Sequence, residues 1–207
     1  MPRDTNRLDM SIDFQPVNIA VMTISDSRTS DTDRSGDLLA SRISEDGHVL
    51  AGREIITDDV ARIMAQLRTW IDDRQVDAVI TTGGTGLTGR DSTPEAFAHI
   101  VEKDIPGFGE LFRQLSYEKI GTSTIQSRAV AGVAGGTYLF ALPGSPSGCR
   151  DGWDDILRYQ LDIRHRPCNF VEIMPRLTES ASQRRTTAAD ARLQPRRCRI
   201  RPVYRGR

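Results

Sequence analysis

Val79 to Phe97, VITTGGTGLTGRDSTPEAF, decides how this chain is read. A β-branched run over 78–82 stops at Gly83, Gly84 and Gly86, and Asp91 comes before a helix start whose Pro94 suits a first helical turn. The order is strand, anion-cradling loop, carboxylate, helix. Glycines let backbone N–H groups approach phosphate oxygens and allow a sharp turn with positive φ. Phosphates bring magnesium, which keeps most of its waters and takes one or two carboxylates, so Asp91 is a candidate ligand with Arg90 as its charge partner. Thr82, Gly83, Gly84, Thr85 and Gly86 are the candidate phosphate-binding residues of this loop.

Gly84, Gly86 and Gly89 satisfy GxGxxG, but a dinucleotide-binding helix opens within its glycines, whereas residues 90–93 intervene here. No acidic residue stands at a strand end about 20 residues further on. No Gly-Lys-Ser/Thr follows either, which removes a Walker A loop.

Upstream, Val17 to Ser25 (VNIAVMTIS) is a near-continuous apolar run, the pattern of a strand buried on both faces of a parallel sheet. Ser25, Asp26, Ser27 and Arg28 follow it, either as a ligand loop at a strand's carboxyl end or as an ordinary turn. Residues 33–46 read as a helix closed by Gly47, and 49–57 as a second strand interrupted at Gly52 and Arg53. At the end of that strand stand Asp58 and Asp59, one of which is expected to cap a helix over 60–72.

Downstream, 94–100 and 108–118 read as helices, and 120–133, including Arg128, as an amphipathic helix. A last strand over 137–142 runs into Pro143, Gly144 and Ser145, a second tight loop at a carboxyl end, followed by a helix over 149–160 and an irregular segment to 177. Three or four strands alternating with helices predict a three-layer α/β/α fold with a mostly parallel sheet. Both glycine loops then lie along one edge, which argues for a single phosphate-rich ligand between them.

The 207 residues suit one domain with extensions: a polar lead-in over 1–13, a body over 14–177 and a tail over 178–207. Net charge is zero, yet the tail carries nine arginines against Glu179 and Asp190. With Tyr204 as its one aromatic, it reads as a solvated, unfolded extension, and nucleic acid is not the expected partner. No apolar leader or membrane span is legible, so a soluble cytoplasmic protein is expected. Three widely spaced cysteines make neither a zinc pattern nor a disulfide framework. His48, His99 and His165 have no nucleophile-elbow serine beside them, which sets a Ser-His-Asp hydrolase aside. Cys149, near a helix start, reads as packed or capping rather than reactive.

Four segments, TTGGTG (81–86), RDSTPEA (90–96), PGFGE (106–110) and LPGSP (142–146), together resemble the MoaB/Mog family of molybdenum cofactor biosynthesis. SYEKIGTSTIQSRAVAGVA (116–134) and RPCNF (166–170) are similar to its MoaB branch. The resemblance implies a molybdopterin-binding α/β fold in homotrimers or homohexamers, acting on molybdopterin and ATP. The family's essential aspartate pair matches Asp58 and Asp91 here. On that footing Asp58 and Asp91 hold Mg2+ on the ATP phosphates, Arg90 offsets developing charge, and an adenylyl group passes to the molybdopterin phosphate. A non-catalytic molybdopterin- or nucleotide-binding oligomer would keep the same motifs.

Overall fold

The computed structural model describes residues 8–179. The expected basic tail lies outside the described residues from position 180 onward. In chain order the elements are β1 (Asn18–Ile24), α1 (Arg34–Glu45), β2 (Val49–Ile56), α2 (Val60–Ile71), β3 (Ala78–Thr82), α3 (Thr93–Ala98), β4 (Lys103–Asp104) and α4 (Pro106–Ile120). A 3-10 segment, Gly121–Gln126, leads to β5 (Val130–Ala134) and β6 (Thr137–Leu142). Then come α5 (Pro146–Gly152), a π-helical turn at Trp153–Leu157, α6 (Arg158–Gln160) and α7 (Phe170–Ile173).

The sheet order is β2-β1-β3-β6-β5-β4. β2, β1, β3 and β6 run parallel, while β5 and β4 are antiparallel additions at one edge. Alternation along the buried strands sends side chains into two cores. Ile19, Val21, Ile80 and Phe140 pack with Leu39 of α1, Phe112 of α4 and Trp153, whereas Ala20, Met22, Val79 and Leu139 pack with Ile63 and Leu67 of α2 and Phe97 of α3. Two covered faces make the three-layer α/β/α architecture and explain why these strands read as unbroken apolar runs.

Several expectations are corrected. There are six strands rather than three or four, and 120–133 is not an amphipathic helix. Gly135 and Gly136 both have positive φ (58° and 92°), so they form a two-residue hairpin turn that folds Val130–Ala134 back onto β6. The alanine-rich run is ambiguous between helix and buried strand, and the turn decides it. Arg128 accordingly sits in a loop, not on a helix. The interruption expected at Gly52 and Arg53 is a register shift, with Ile19 opposite Leu50 but Ala20 opposite Gly52. The last long helix begins at Pro146, three residues earlier than expected, and α7 lies in the segment expected to be irregular.

β1 sits between β2 and β3, so the chain leaves it toward one edge and later returns to its other side. Such a reversal opens a crevice beyond the carboxyl ends of the strands. Ile24, Ile56, Thr82 and Leu142 end four parallel strands there.

Candidate functional site

Each loop at that crevice is held by its own chemistry. Asp33 is fully buried; it caps α1 by accepting from the Gly36 amide at 3.0 Å, and it also accepts from the Thr23 hydroxyl at 2.7 Å and from Arg53 at 2.8 Å. Burial opposes its charge, but these donors outweigh that and keep its carboxyl below the usual range. The anchored α1 presents Ser35, whose hydroxyl donates to the Gly144 carbonyl at 2.9 Å. Asp59 takes the cap of α2, accepting from the Arg62 amide at 3.0 Å, which leaves Asp58 free of that task. Ser145 caps α5 through the Gly148 amide at 3.1 Å.

The two glycine loops touch. Gly83 donates its amide to the Leu142 carbonyl at 3.1 Å, and a Cβ on Gly144 would stand 3.2 Å from the Gly83 Cα. Gly83 has φ of 103°, and a Cβ there would run into the Ile24 carbonyl oxygen. Only glycine fits where three strand ends converge so closely.

A cavity of about 900 Å³ opens over these loops. Of the residues expected from the sequence, Ser25, Gly83, Gly84, Thr85 and Gly86 line it, as do Pro143, Gly144 and Ser145. Asp58 and Asp91 line the same cavity. Thr82 does not; it is buried, and its hydroxyl donates to the Pro143 carbonyl at 2.9 Å, tying one loop to the other. Asp26 and Arg90 also stay outside the lining, joined as an ion pair at 2.5 Å with the Arg90 side chain 69% exposed. Arg90 is thus engaged with Asp26, whose carboxyl it holds below the usual range, and does not face the phosphate loop as expected.

The two cavity carboxylates are each fixed through one oxygen. Asp58 Oδ1 accepts from the Ser92 amide at 3.0 Å and its hydroxyl at 2.5 Å. Asp91 Oδ2 accepts from the Thr88 amide at 2.7 Å and its hydroxyl at 2.6 Å. Burial pushes Asp91 up, but the Thr88 donors, the Gly86 amide and the charge of Arg128 together hold it below the ordinary carboxylate value. It is ionised at neutral pH.

Among the described residues no group of three or more His, Cys, Asp or Glu side chains comes together as a closed metal cage. Two carboxylates beside glycine-loop amides are instead the donor set suited to a hard divalent ion that arrives with phosphates and keeps its waters. Asp58 and Asp91, both in the cavity lining, are side chains of the type such an ion takes.

Further lining residues are not among those expected from the sequence. Phe112, Ser116, Lys119 and Ile120 of α4, with Gln126 and Ser127 beyond it, also line the cavity. Arg28 and Arg150 add cationic side chains to the lining, and among the described residues neither forms an ion pair. Lys119 is held by Asp151 at 2.7 Å, pinning α4 against α5. The polar segment 116–127 is a legible signal, but assigning its second half to a long helix hides where it lies. The cavity lining thus combines glycine-loop backbone, hydroxyls and guanidinium groups with apolar side chains. It offers no activated nucleophile. None of the three histidines lines it, and Cys149 is buried with its thiol pushed up to about 11 by desolvation.

Comparison with known proteins places the fold among relatives. Residues 20–163 match the family described as "Probable molybdopterin binding domain". The chain is 47% identical over 161 residues to molybdenum cofactor biosynthesis protein B of Escherichia coli strain K12, covering 78% of this chain and 95% of that protein. It is 40% identical over 151 residues to the protein of the same name from Staphylococcus epidermidis, covering 71% and 86%. Among solved structures, a molybdenum cofactor biosynthesis protein B superposes with a TM-score of 0.69 at 40% identity, covering 71% of this chain and 92% of that one. The tungsten cofactor synthesizing protein MoaB from Pyrococcus furiosus gives 0.63 at 33%, covering 69% and 91%. With this sheet order, the paired glycine loops and these relatives, the chain belongs to the MoaB/Mog family of molybdenum cofactor biosynthesis proteins, on the MoaB side of it.

Proposed function

We propose that the protein binds molybdopterin together with Mg-ATP and transfers the adenylyl group of ATP to the molybdopterin phosphate. What carries this reading is the meeting of Asp58 and Asp91 with both glycine loops in one cavity. In the transfer, an oxygen of the molybdopterin phosphate attacks the α-phosphorus of ATP. The bond from that phosphorus to the bridging oxygen of the β-phosphate breaks, and pyrophosphate leaves with the electron pair. No side chain has to become covalently attached, so positioning and charge compensation supply the catalysis.

The amides of Gly84 and Thr85 and the hydroxyls of Ser25 and Ser145 orient phosphate oxygens, and Arg28 and Arg150 offset their charge. Asp58 and Asp91 would hold the divalent ion, which when bound would supply positive charge against the phosphates. Phe112 and Ile120 supply the apolar surface for a ring. Arg90 acts through Asp26, keeping the loops after β1 and β3 together at the rim.

The test is incubation of the protein with molybdopterin, ATP and magnesium, scored by pyrophosphate release and the mass of adenylylated product. Asp91→Asn should lower turnover by about 10²-fold. Binding of both ligands without pyrophosphate would leave the non-catalytic binding reading in place of this one.

Association into a homotrimer or homohexamer belongs to the same proposal. It is supported by the exposed apolar side chains Leu111, Tyr117, Ile120 and Ile125 on α4 and the segment after it. Light scattering of the full chain tests it.

A further inference from the structure

Arg128 does not line the cavity, yet its side chain is engaged on every arm. Nε donates to the Gly86 carbonyl at 2.7 Å and one terminal nitrogen to the Asp91 carbonyl at 2.7 Å, while the other terminal nitrogen pairs with the Glu95 carboxylate. Its own amide donates to the Thr85 carbonyl at 3.0 Å. The two carbonyls are the ends of the segment 86–91, whose intervening residues 87–90 are all exposed. Inside it, Thr88 turns back to hold the Asp91 carboxylate. Packing does little for such a segment, so its shape rests on these hydrogen bonds.

From this we infer that Arg128 is a positioning residue. By clamping both ends of 86–91 it aims the Asp91 carboxylate into the cavity, and so sets the affinity for a divalent ion bound with a triphosphate, without touching either. The fork of a guanidinium suits three divergent acceptors; a lysine ammonium, with one nitrogen, cannot span them. Glu95 then has a task of its own. It is a further carboxylate near the loop, and its pairing with Arg128 keeps it ionised and turned to the clamp. Supporting groups of this kind change metal affinity by about 10- to 100-fold when removed.

The inference rests on the proposed function, and its test keeps the two apart. Binding of Mn2+ with ATP to the full chain is measured by calorimetry and by the Mn2+ resonance signal, alongside ATP alone in chelator. In the wild type, no binding of Mn2+ with ATP overturns the functional reading and this inference with it. Given wild-type binding, Arg128→Lys is expected to weaken Mn2+ with ATP by about tenfold or more. ATP alone should change less than about threefold, because the glycine amides remain. Equal losses in both, with a fall in melting temperature, would mean a merely structural role and overturn the inference. Wild-type affinity in Arg128→Lys also overturns it. Glu95→Gln, which keeps an acceptor but removes the charge, should weaken Mn2+ with ATP by about threefold. If Arg128→Lys does not fold, Glu95→Gln decides the matter, and unchanged affinity there overturns the inference.

Discussion

Ser92 holds Asp58 twice, through its amide at 3.0 Å and its hydroxyl at 2.5 Å, so one carboxylate of the cavity pair is fixed by the residue next to the other. The end of β2 and the start of α3 are thereby locked across 34 positions of sequence. The same serine precedes α3 without capping it through its side chain, so its hydroxyl serves the site rather than the helix.

Ser92→Ala separates these roles. Losing a hydrogen bond to an ionised group should weaken Mn2+ with ATP by about tenfold, while the melting temperature moves little because no cap is lost. Calorimetric titration and a thermal melt read the two effects. A large drop in stability with unchanged affinity would reverse the assignment.

Gly84 has φ of 62°, and a Cβ on it would collide with the Thr93 hydroxyl oxygen and come 2.8 Å from Asp58 Oδ2. Gly84→Ala is therefore expected to cost about 1–3 kcal/mol in strain and to displace Asp58 as well. Denaturant unfolding should show the lost stability, and ligand titration the lost site.

Arg150 lines the cavity with no ion pair among the described residues, so its removal breaks no internal contact of that kind. Arg150→Ala should weaken ATP by about fivefold at low salt, less at high salt, without lowering the melting temperature. Titrations at two ionic strengths test this.

Cys149 is fully buried against the Thr82 hydroxyl, with its thiol pushed up to about 11, whereas Cys168 is exposed. Iodoacetamide at about pH 8 should modify Cys168 in the folded protein and reach Cys149 only after unfolding. Peptide mass analysis distinguishes the two sites.

His48 accepts the Val17 amide at its Nδ1, 3.2 Å away, and burial depresses its pKa below 6.5. A depressed base resists protonation in the fold more than in the unfolded chain, so its contribution is complete above 6.5 and declines as pH falls through that value toward the folded one. Urea midpoints should therefore drop on acidification from about pH 8 to pH 5.5. His48→Gln should flatten part of that slope. His165, whose pKa burial also lowers, contributes in the same direction.

Much of the fold is legible in the sequence because its signals are local. β3 and β6 are readable to the residue, since apolar runs bounded by glycine or proline show where a doubly covered strand ends. The glycine loops and Asp91 are readable for the same reason, each type being needed at its own short spacing, whereas Asp58 is singled out from Asp59 only by the resemblance to the MoaB/Mog family. β5 is not, because Ala131 and Ala134 suit either a helix or a buried strand; Gly135 and Gly136 turn the chain back against β6, and that pairing decides it.

The sequence by itself determined the alternation of strands and helices, the two phosphate-type loops and Asp91 beside one of them, all consequences of periodicity and backbone freedom within a few residues, while Asp58 entered through the family resemblance. Only the tertiary structure decided which aspartate faces the cavity and which caps a helix, that Arg90 goes to Asp26, and that Arg128 closes the loop carrying Asp91. Those choices depend on where parallel strand ends converge. A charged side chain takes whichever partners the packed layers bring within about 3 Å, whatever their distance in sequence.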